Sequence, residues 1–503
     1  MIQSNQSAAA STPSHSIRRW QIMTICSIAF LLFIRSTAFE FTNWDDHLLI
    51  LDNPEAQSIS FENLWTPFTQ YYVNHYHPLV IVSYAVDATL GGMSPGMFHL
   101  TNTLLHVLNC LLVYLLAERL TKNNRIAFAG ALLFAVHPVH VEAVAWVSAR
   151  KDLLSTAFLL LGTLAYINKN NAPLQKRFVL PFLFLLALFS KAIAIVFPVL
   201  LLAVDWLESG AIKKQNWIEK IPLLLLSIVF SVVAYWGQYS NSTVSSAHAG
   251  GIGTRMVTPF YSLIWYTWTF MAPFSLTPFY PFPSSIGEEI AAIAWFCPMF
   301  VATGAFFLWE RRRQFCLPVF FLLFFFISIA PVLQTVLVGR AITADRFLYF
   351  PSVGLCLFVG YSLDVALEKS AGWIRTSIVS AGIGVVVLFT LLTLQQLPIW
   401  KDSLSLWNAA IRAYPTVAES YSKRASALID QHRNLEAHQD LITAVELNPT
   451  EPGHYLNRAL SYFRIGKRDS AVMDLQMAYR LDPNLPVFEG PKQAEPMLVD
   501  STK

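Results

Sequence analysis

The sequence predicts an all-α polytopic membrane protein that carries a C-terminal α-solenoid of helical repeats. Three observations predict it. Of 503 residues, 54% are apolar and only 13% are charged, where a soluble chain carries about 25%. The deficit is concentrated in runs such as LPVFFLLFFFISIA and VVVLFTLLTL, as expected when part of the solvent is a bilayer. After Pro398 the composition turns polar and repeats itself every 34 residues.

A bilayer-crossing helix needs roughly 20 apolar residues. About eleven segments qualify or come close, at 20–38, 99–118, 127–146, 152–167, 178–190, 192–207, 221–238, 290–309, 316–335, 350–368 and 377–397. The run from Trp20 to Ala38 is long for a cleaved leader and reads as an uncleaved first span. Lys and Arg favour short cytoplasmic loops. The groups Arg18/Arg19, Arg119/Lys122/Arg125, Lys169/Lys176/Arg177, Lys213/Lys214/Lys220, Arg311/Arg312/Arg313 and Lys369/Arg375 fall on one side if the chain turns at Ser190-Lys191 and if 258–275 is re-entrant or interfacial. The N-terminus is then cytoplasmic and the repeats are not. The organisation expected is a disordered cytoplasmic tail (1–19), a membrane domain (20–398) with a long outer loop (39–98), repeats (399–485) and a tail (486–503). The stretch HPLVIVSYAVDATL in the outer loop suits a helix lying along the membrane surface.

A formal charge of +3 gives no case for nucleic acid. The five cysteines, Cys26, Cys110, Cys297, Cys316 and Cys356, lie in or beside apolar runs without metal-ligand spacing and read as small buried hydrophobes.

In the tail, Tyr421 corresponds to Tyr455, Arg424 to Arg458, Ala425 to Ala459, Ala444 to Ala478, and Pro415 to Pro449 and Pro483. This is the tetratricopeptide (TPR) period, with small residues at the helix crossing and a Pro closing each unit. WKDSLSLWNAAIRAYP supplies a further second helix. Such arrays bind extended peptides or partner proteins; the alternative is a structural cap or a dimerisation surface.

Four groups are candidates for chemistry. Asp45 and Asp46 in NWDD follow the first span, where a carboxylate is placed to accept a proton from an acceptor hydroxyl. His137, His140 and Glu142 stand close together in HPVHVEAVAWVSARKDLLS; they suit hydrogen bonds to sugar hydroxyls, structural pairing or, less well because Pro138 interrupts the helix, a divalent metal. The cations Arg150, Lys151, Lys191, Arg340 and Arg346 sit where topology does not ask for positive charge; Arg offers a phosphate bidentate contact and Lys a point charge. Asp345-Arg346-Phe347-Leu348-Tyr349 opens a span, or anchors it at the interface.

Taken in order, WDDHLLILDNP, HPVHVEAVAWVSARKDLLS, SKAIAIVFPVLLLAVDWL, ADRFLYFPSVG and the repeats resemble the transmembrane and tetratricopeptide-repeat O-mannosyltransferase family over nearly the whole chain. The resemblance implies a GT-C glycosyltransferase fold, a polyprenyl-phosphate sugar donor such as dolichyl-phosphate mannose, Ser or Thr hydroxyls as acceptors, and no cofactor or metal. It puts the catalytic base at Asp45 or Asp46, the donor phosphate at Lys191 and Arg346, with Arg150 in support, and the sugar near His137, His140, Glu142, Asp345 and Tyr349. The chain departs from the family at Ser190-Lys191-Ala192, where Ser-Lys-Glu is usual, at Ala344-Asp345-Arg346, where Ala-Glu-Arg is commoner, and in having about two full repeats. The short loops and compact array favour a bacterial inner membrane with periplasmic repeats over the endoplasmic reticulum. A membrane-anchored scaffold and a transporter are the other readings; the ionisable residues gather at span ends, not at midpoints as a transporter expects.

Overall fold

The computed structural model describes residues 15–168, 173–239, 252–282, 316–334 and 341–485. The expected span 290–309, the Arg311–Arg313 cluster, Lys169, Cys297, Arg340 and the tail 486–503 lie outside them. The chain divides into two units with a boundary after Pro398; Glu40–Trp44 and Thr277–Phe279 belong with the second.

The first unit is helical. Among the described residues five helical segments are long and apolar enough to cross a membrane: His15–Ala38, Pro95–Thr121, Ala192–Ser209, Lys214–Gln238 and Gly372–Trp400. Asn124–Val136 and Pro138–Ala145 pass the same test only together, and they meet at 55°, as in a broken span or a re-entrant loop. The break falls at His137, in extended backbone, because Pro138 disfavours a helical residue before it. The continuous span expected over 127–146 is therefore two pieces. The first helix begins at His15, so the end of the expected disordered tail is helical. Shorter helices occupy Arg150–Ile167, Pro173–Ser190, Cys316–Ile329 and Ser352–Lys369. The chain breaks at Ser190-Lys191, where a turn was expected, and resumes as a 3-10 segment, Ala192–Val196. The 258–275 stretch lies largely in a 20-residue helix, Ile252–Met271, which is not among the membrane-crossing candidates.

Small residues bring the helices together, as membrane packing favours. A Cβ on Gly360 would meet Ile126 O at 2.8 Å and Gly130 N at 3.0 Å, and one on Gly130 would meet Leu357 Cδ2 at 2.7 Å. The Asn124–Val136 and Ser352–Lys369 helices thus cross backbone to backbone.

In the outer loop, Pro78–Gly91 forms a helix that buries Val80, Ile81, Tyr84 and Ala85. A two-stranded antiparallel ribbon pairs Tyr280–Pro281 with Ala341–Thr343 and leads into Asp345-Arg346.

The second unit is built from Ser403–Ala413, Ala418–Asp430, Asn434–Leu447, Pro452–Arg464 and Arg468–Leu481. The sequence period recurs as a period of contacts. Arg424 grips Asp440 through Nε and Nη2 at 2.7 and 2.6 Å, and Arg458 grips Asp474 in the same way at 2.7 and 2.8 Å. Tyr421 donates to Pro415 O and Tyr455 to Pro449 O. Ala425, Ala437, Ala444, Ala459, Ala471 and Ala478 are fully buried at the crossings. The Glu40–Trp44 segment is stitched into this unit. Trp407 donates to Asn43 Oδ1 at 2.6 Å, Asn43 donates to Lys423 O, and the Trp44 ring stacks on Trp407 and Trp400.

A candidate phosphate-binding recess and its acid

The polar residues of the first unit sort into those that hold helices together and those that face open space. A recess is bounded by Asn74–His77, Lys151, Ser190–Ala192, Ala234 and Arg346-Phe347. Apart from Ala234, which lies inside the Lys214–Tyr239 helix, the walls come from breaks and helix ends: the turn before Pro78, the first turn of Arg150–Ile167, the break at Lys191 and the 3-10 segment Asp345–Leu348. Breaks free side chains from helix packing, which is why distant motifs converge here.

Three cations line it. Lys191 Nζ donates to Asp152, and Arg346 donates to Glu142 through Nη1 and through its backbone N–H. Lys151 is buried and makes no ion pair among the described residues; its ammonium lies 5.7 Å from the centre of the Trp146 ring. Lys191 and Arg346 flank the Phe347 ring at 4.8 and 4.9 Å. Burial pushes Lys191 down to about 8, with Lys151 and Arg346 adding to the shift and Asp152 opposing it. Burial also opposes the charge on Arg346, but Glu142 and Asp152 hold it protonated. Arg346 Nε is buried with no hydrogen-bond partner among the described residues. The recess is thus a positive, partly unsatisfied environment, a setting suited to an anion.

The carboxylate expected after Ser-Lys is Ala192 here, and Lys191 finds its counter-charge in Asp152 instead. Asp152 was not singled out among the candidate site residues, although the RKDLLS motif contained it. His75 and His77 were missed as well; the HYHP motif was the available signal.

The two candidate acids separate. Asp46 is buried and accepts from Ser148 N at 3.0 Å and from Ser148 Oγ, which pins the Val147–Ala149 turn. The half-buried Asp45 carboxylate makes no hydrogen bond or ion pair among the described residues, and it acts electrostatically on Lys151 and Arg346.

Other expected site residues are placed elsewhere. Arg150, expected at the donor phosphate, is fully buried: it pairs with Asp87 at 2.5 Å, donates to Asn102 Oδ1 and Phe98 O, and covers the Tyr84 ring. Lys151, its neighbour, takes the place in the recess. His137, His140 and Tyr349, expected at the sugar, are fully buried. His137 stacks on Phe270 and bonds Phe270 O; His140 links Phe134 O to Ser352 Oγ; Tyr349 bonds His106 and Asn109. Glu142 serves Arg346, and Asp345 accepts from Tyr280 Oη at 2.8 Å. The physical reason is common to all of them: far from water, polar groups find protein partners. Among the described residues no cluster of His, Cys, Asp and Glu is arranged to hold a metal ion.

Over most of its length the chain is similar to curated proteins. It is 27% identical to human Protein O-mannosyl-transferase TMTC1, across 83% of this chain and 54% of that protein. It is 25% identical to mouse Protein O-mannosyl-transferase TMTC3, across 88% and 53%, and 26% identical to human Protein O-mannosyl-transferase TMTC4, across 82% and 64%. The chain spans between about half and two thirds of the length of these relatives. No family model and no solved structure matches it.

Proposed function

We propose that this homologue of the TMTC protein O-mannosyl-transferases is itself a glycosyltransferase, moving mannose or a similar sugar from a polyprenyl-phosphate donor to a Ser or Thr hydroxyl of a protein. The observation that carries the reading is the recess: three cations, two of them charge-paired and one without an ion pair among the described residues, beside a carboxylate with no hydrogen bond or ion pair among those residues.

In this reading the donor phosphate enters between Lys151, Lys191 and Arg346, and the free N–H of Arg346 gains an acceptor. Asp45 accepts the proton of the acceptor hydroxyl as its oxygen attacks the anomeric carbon. Attack from the face opposite the phosphate breaks the bond between the anomeric carbon and the phosphate oxygen. The electron pair leaves with polyprenyl phosphate, whose charge the three cations offset. Asp46 holds the backbone that carries these groups and takes no proton. Residues 399–485 act as a TPR array, whose cleft among Leu404, Asn408, Arg424, Leu428 and Gln439 supports a role in holding an acceptor segment. The GT-C architecture, about eleven spans, the non-cytoplasmic placement of the repeats and a bacterial inner membrane belong to the same proposal, as does activity without a metal cofactor.

The test is reconstitution. Purified protein in lipid nanodiscs is given polyprenyl-phosphate mannose and a Ser/Thr-rich peptide, with the product read by mass spectrometry. A hexose on a Ser or Thr side chain supports the reading. Polyprenyl-phosphate sugars of several kinds left intact, with cations and peptides varied, reject it.

A further inference from the structure

His77 is 1% exposed and lines the recess, yet neither of its ring nitrogens has a hydrogen-bond partner among the described residues. A neutral imidazole carries one donor and one acceptor, and a buried polar group left without a partner is destabilising. The ring lies near those of Tyr72 and His75, but among the described residues it makes no hydrogen bond, unlike His106, His137 and His140, whose nitrogens are all engaged in their helix packing.

The chain also bears a cost to deliver it. Val73 and Asn74 both adopt positive φ, 47° and 64°, in a two-residue turn closed by Tyr72 and His75. A β-branched residue there is strained. The turn is clamped from outside: Tyr71 Oη donates to Val233 O, its ring covers Gly237, and Gln238 donates to Asn74 O at 3.1 Å. Burial, then Lys151, keep the His77 ring uncharged. It therefore offers the recess one N–H and one lone pair, beside three cations that offer only N–H groups.

We propose that His77 is a specificity residue for the glycosyl-phosphate end of the donor: its N–H donates to a phosphate oxygen and its other nitrogen accepts from a sugar hydroxyl. This rests on the glycosyltransferase reading and deepens it. Cations alone recognise any polyprenyl phosphate. The acceptor nitrogen distinguishes the glycosylated lipid from the bare phosphate, and so separates substrate from product. A glycosyl phosphate presents an acceptor oxygen and a donor hydroxyl within a few ångströms, which matches the two unmet needs of one imidazole.

The experiment compares the full-length protein with its His77→Phe and His77→Gln variants in nanodiscs. Affinity is measured for polyprenyl-phosphate mannose and for polyprenyl phosphate, together with the unfolding temperature without ligand. The expected result is that His77→Phe unfolds no lower than wild type, because it removes two unsatisfied groups. It loses at least tenfold of the preference for the glycosylated lipid, while His77→Gln keeps most of that preference. A wild-type affinity ratio in His77→Phe overturns the proposal, and so does a lowered unfolding temperature or failure to fold, since either marks a structural residue. If the wild type binds neither lipid, the glycosyltransferase reading itself fails.

Discussion

Asp45 and Asp46 are adjacent in the chain and opposite in circumstance: the Asp46 carboxylate is buried and bonded to Ser148, while that of Asp45 is half-buried and makes no hydrogen bond among the described residues. The backbone is near-helical at this point, so neighbouring side chains diverge. One acid is thereby engaged by the backbone it holds, and the other is left open, as the proposed base requires. Asp46→Ala is expected to lower stability by about 1.5–3 kcal/mol, as when a buried hydrogen bond to a charged group is lost. Denaturant melts of Asp46→Ala and Asp45→Ala compare the two directly; equal losses contradict the division.

Lys191 gives the recess a pH dependence. Its folded value of about 8 lies below the ordinary lysine value of 10.5, so between pH 8 and 10.5 the unfolded chain holds the extra proton. This group therefore destabilises the fold fully below pH 8, and the cost fades as pH rises towards 10.5. Binding runs the other way: the charge that attracts phosphate is lost above pH 8. Affinity for polyprenyl phosphate should fall about tenfold per pH unit above that point, beyond the shift that phosphate itself induces in Lys191. Lys191→Arg should bind without this decline, because guanidinium keeps its proton. Titration of lipid affinity from pH 6.5 to 9.5 reads both.

Arg150 belongs to the scaffold. Removing it leaves Asp87 buried without a counter-charge, a change that costs about 3–5 kcal/mol. Arg150→Met is expected to unfold far below the wild-type temperature, and Arg150→Met combined with Asp87→Leu to recover much of the loss. Wild-type stability with impaired lipid binding in the single variant would return Arg150 to the recess.

Gly360→Ala tests the helix crossing. The new methyl meets backbone atoms of Ile126 and Gly130 at 2.8 and 3.0 Å, and backbone does not move aside as a flexible side chain does. Overpacking of this kind costs about 1–3 kcal/mol. A thermal melt in detergent should show the loss; an unchanged melt means that these helices sit further apart.

The architecture was legible where the signal was periodic. Apolar length announced the helices, and the 34-residue spacing announced that Arg424 recurs as Arg458, though not that Asp440 and Asp474 would be their partners. The break at Ser190-Lys191 followed from charge alone. The recess was legible only in part. Lys191 and Arg346 were found because cations there had no topological reason. Arg150 and Lys151 are neighbours with the same argument, and only the rotation of one helix turn decides which faces the recess. His137, His140 and Tyr349 carry chemistry-bearing side chains, but a sequence does not show whether Phe270 O, Ser352 Oγ or Asn109 will occupy them. Asp152 replaces an acid expected at position 192 from 40 residues away, and nothing along the chain connects those positions.

Asp45→Asn in nanodiscs, with donor binding and sugar transfer measured on the same preparation, tests the central claim. The account predicts lipid affinity within a few-fold of wild type, because the cations are untouched, and transfer slowed by about 10²–10⁴-fold through loss of the general base. Transfer at the wild-type rate, with the Asn side chain confirmed intact by mass spectrometry, would contradict it.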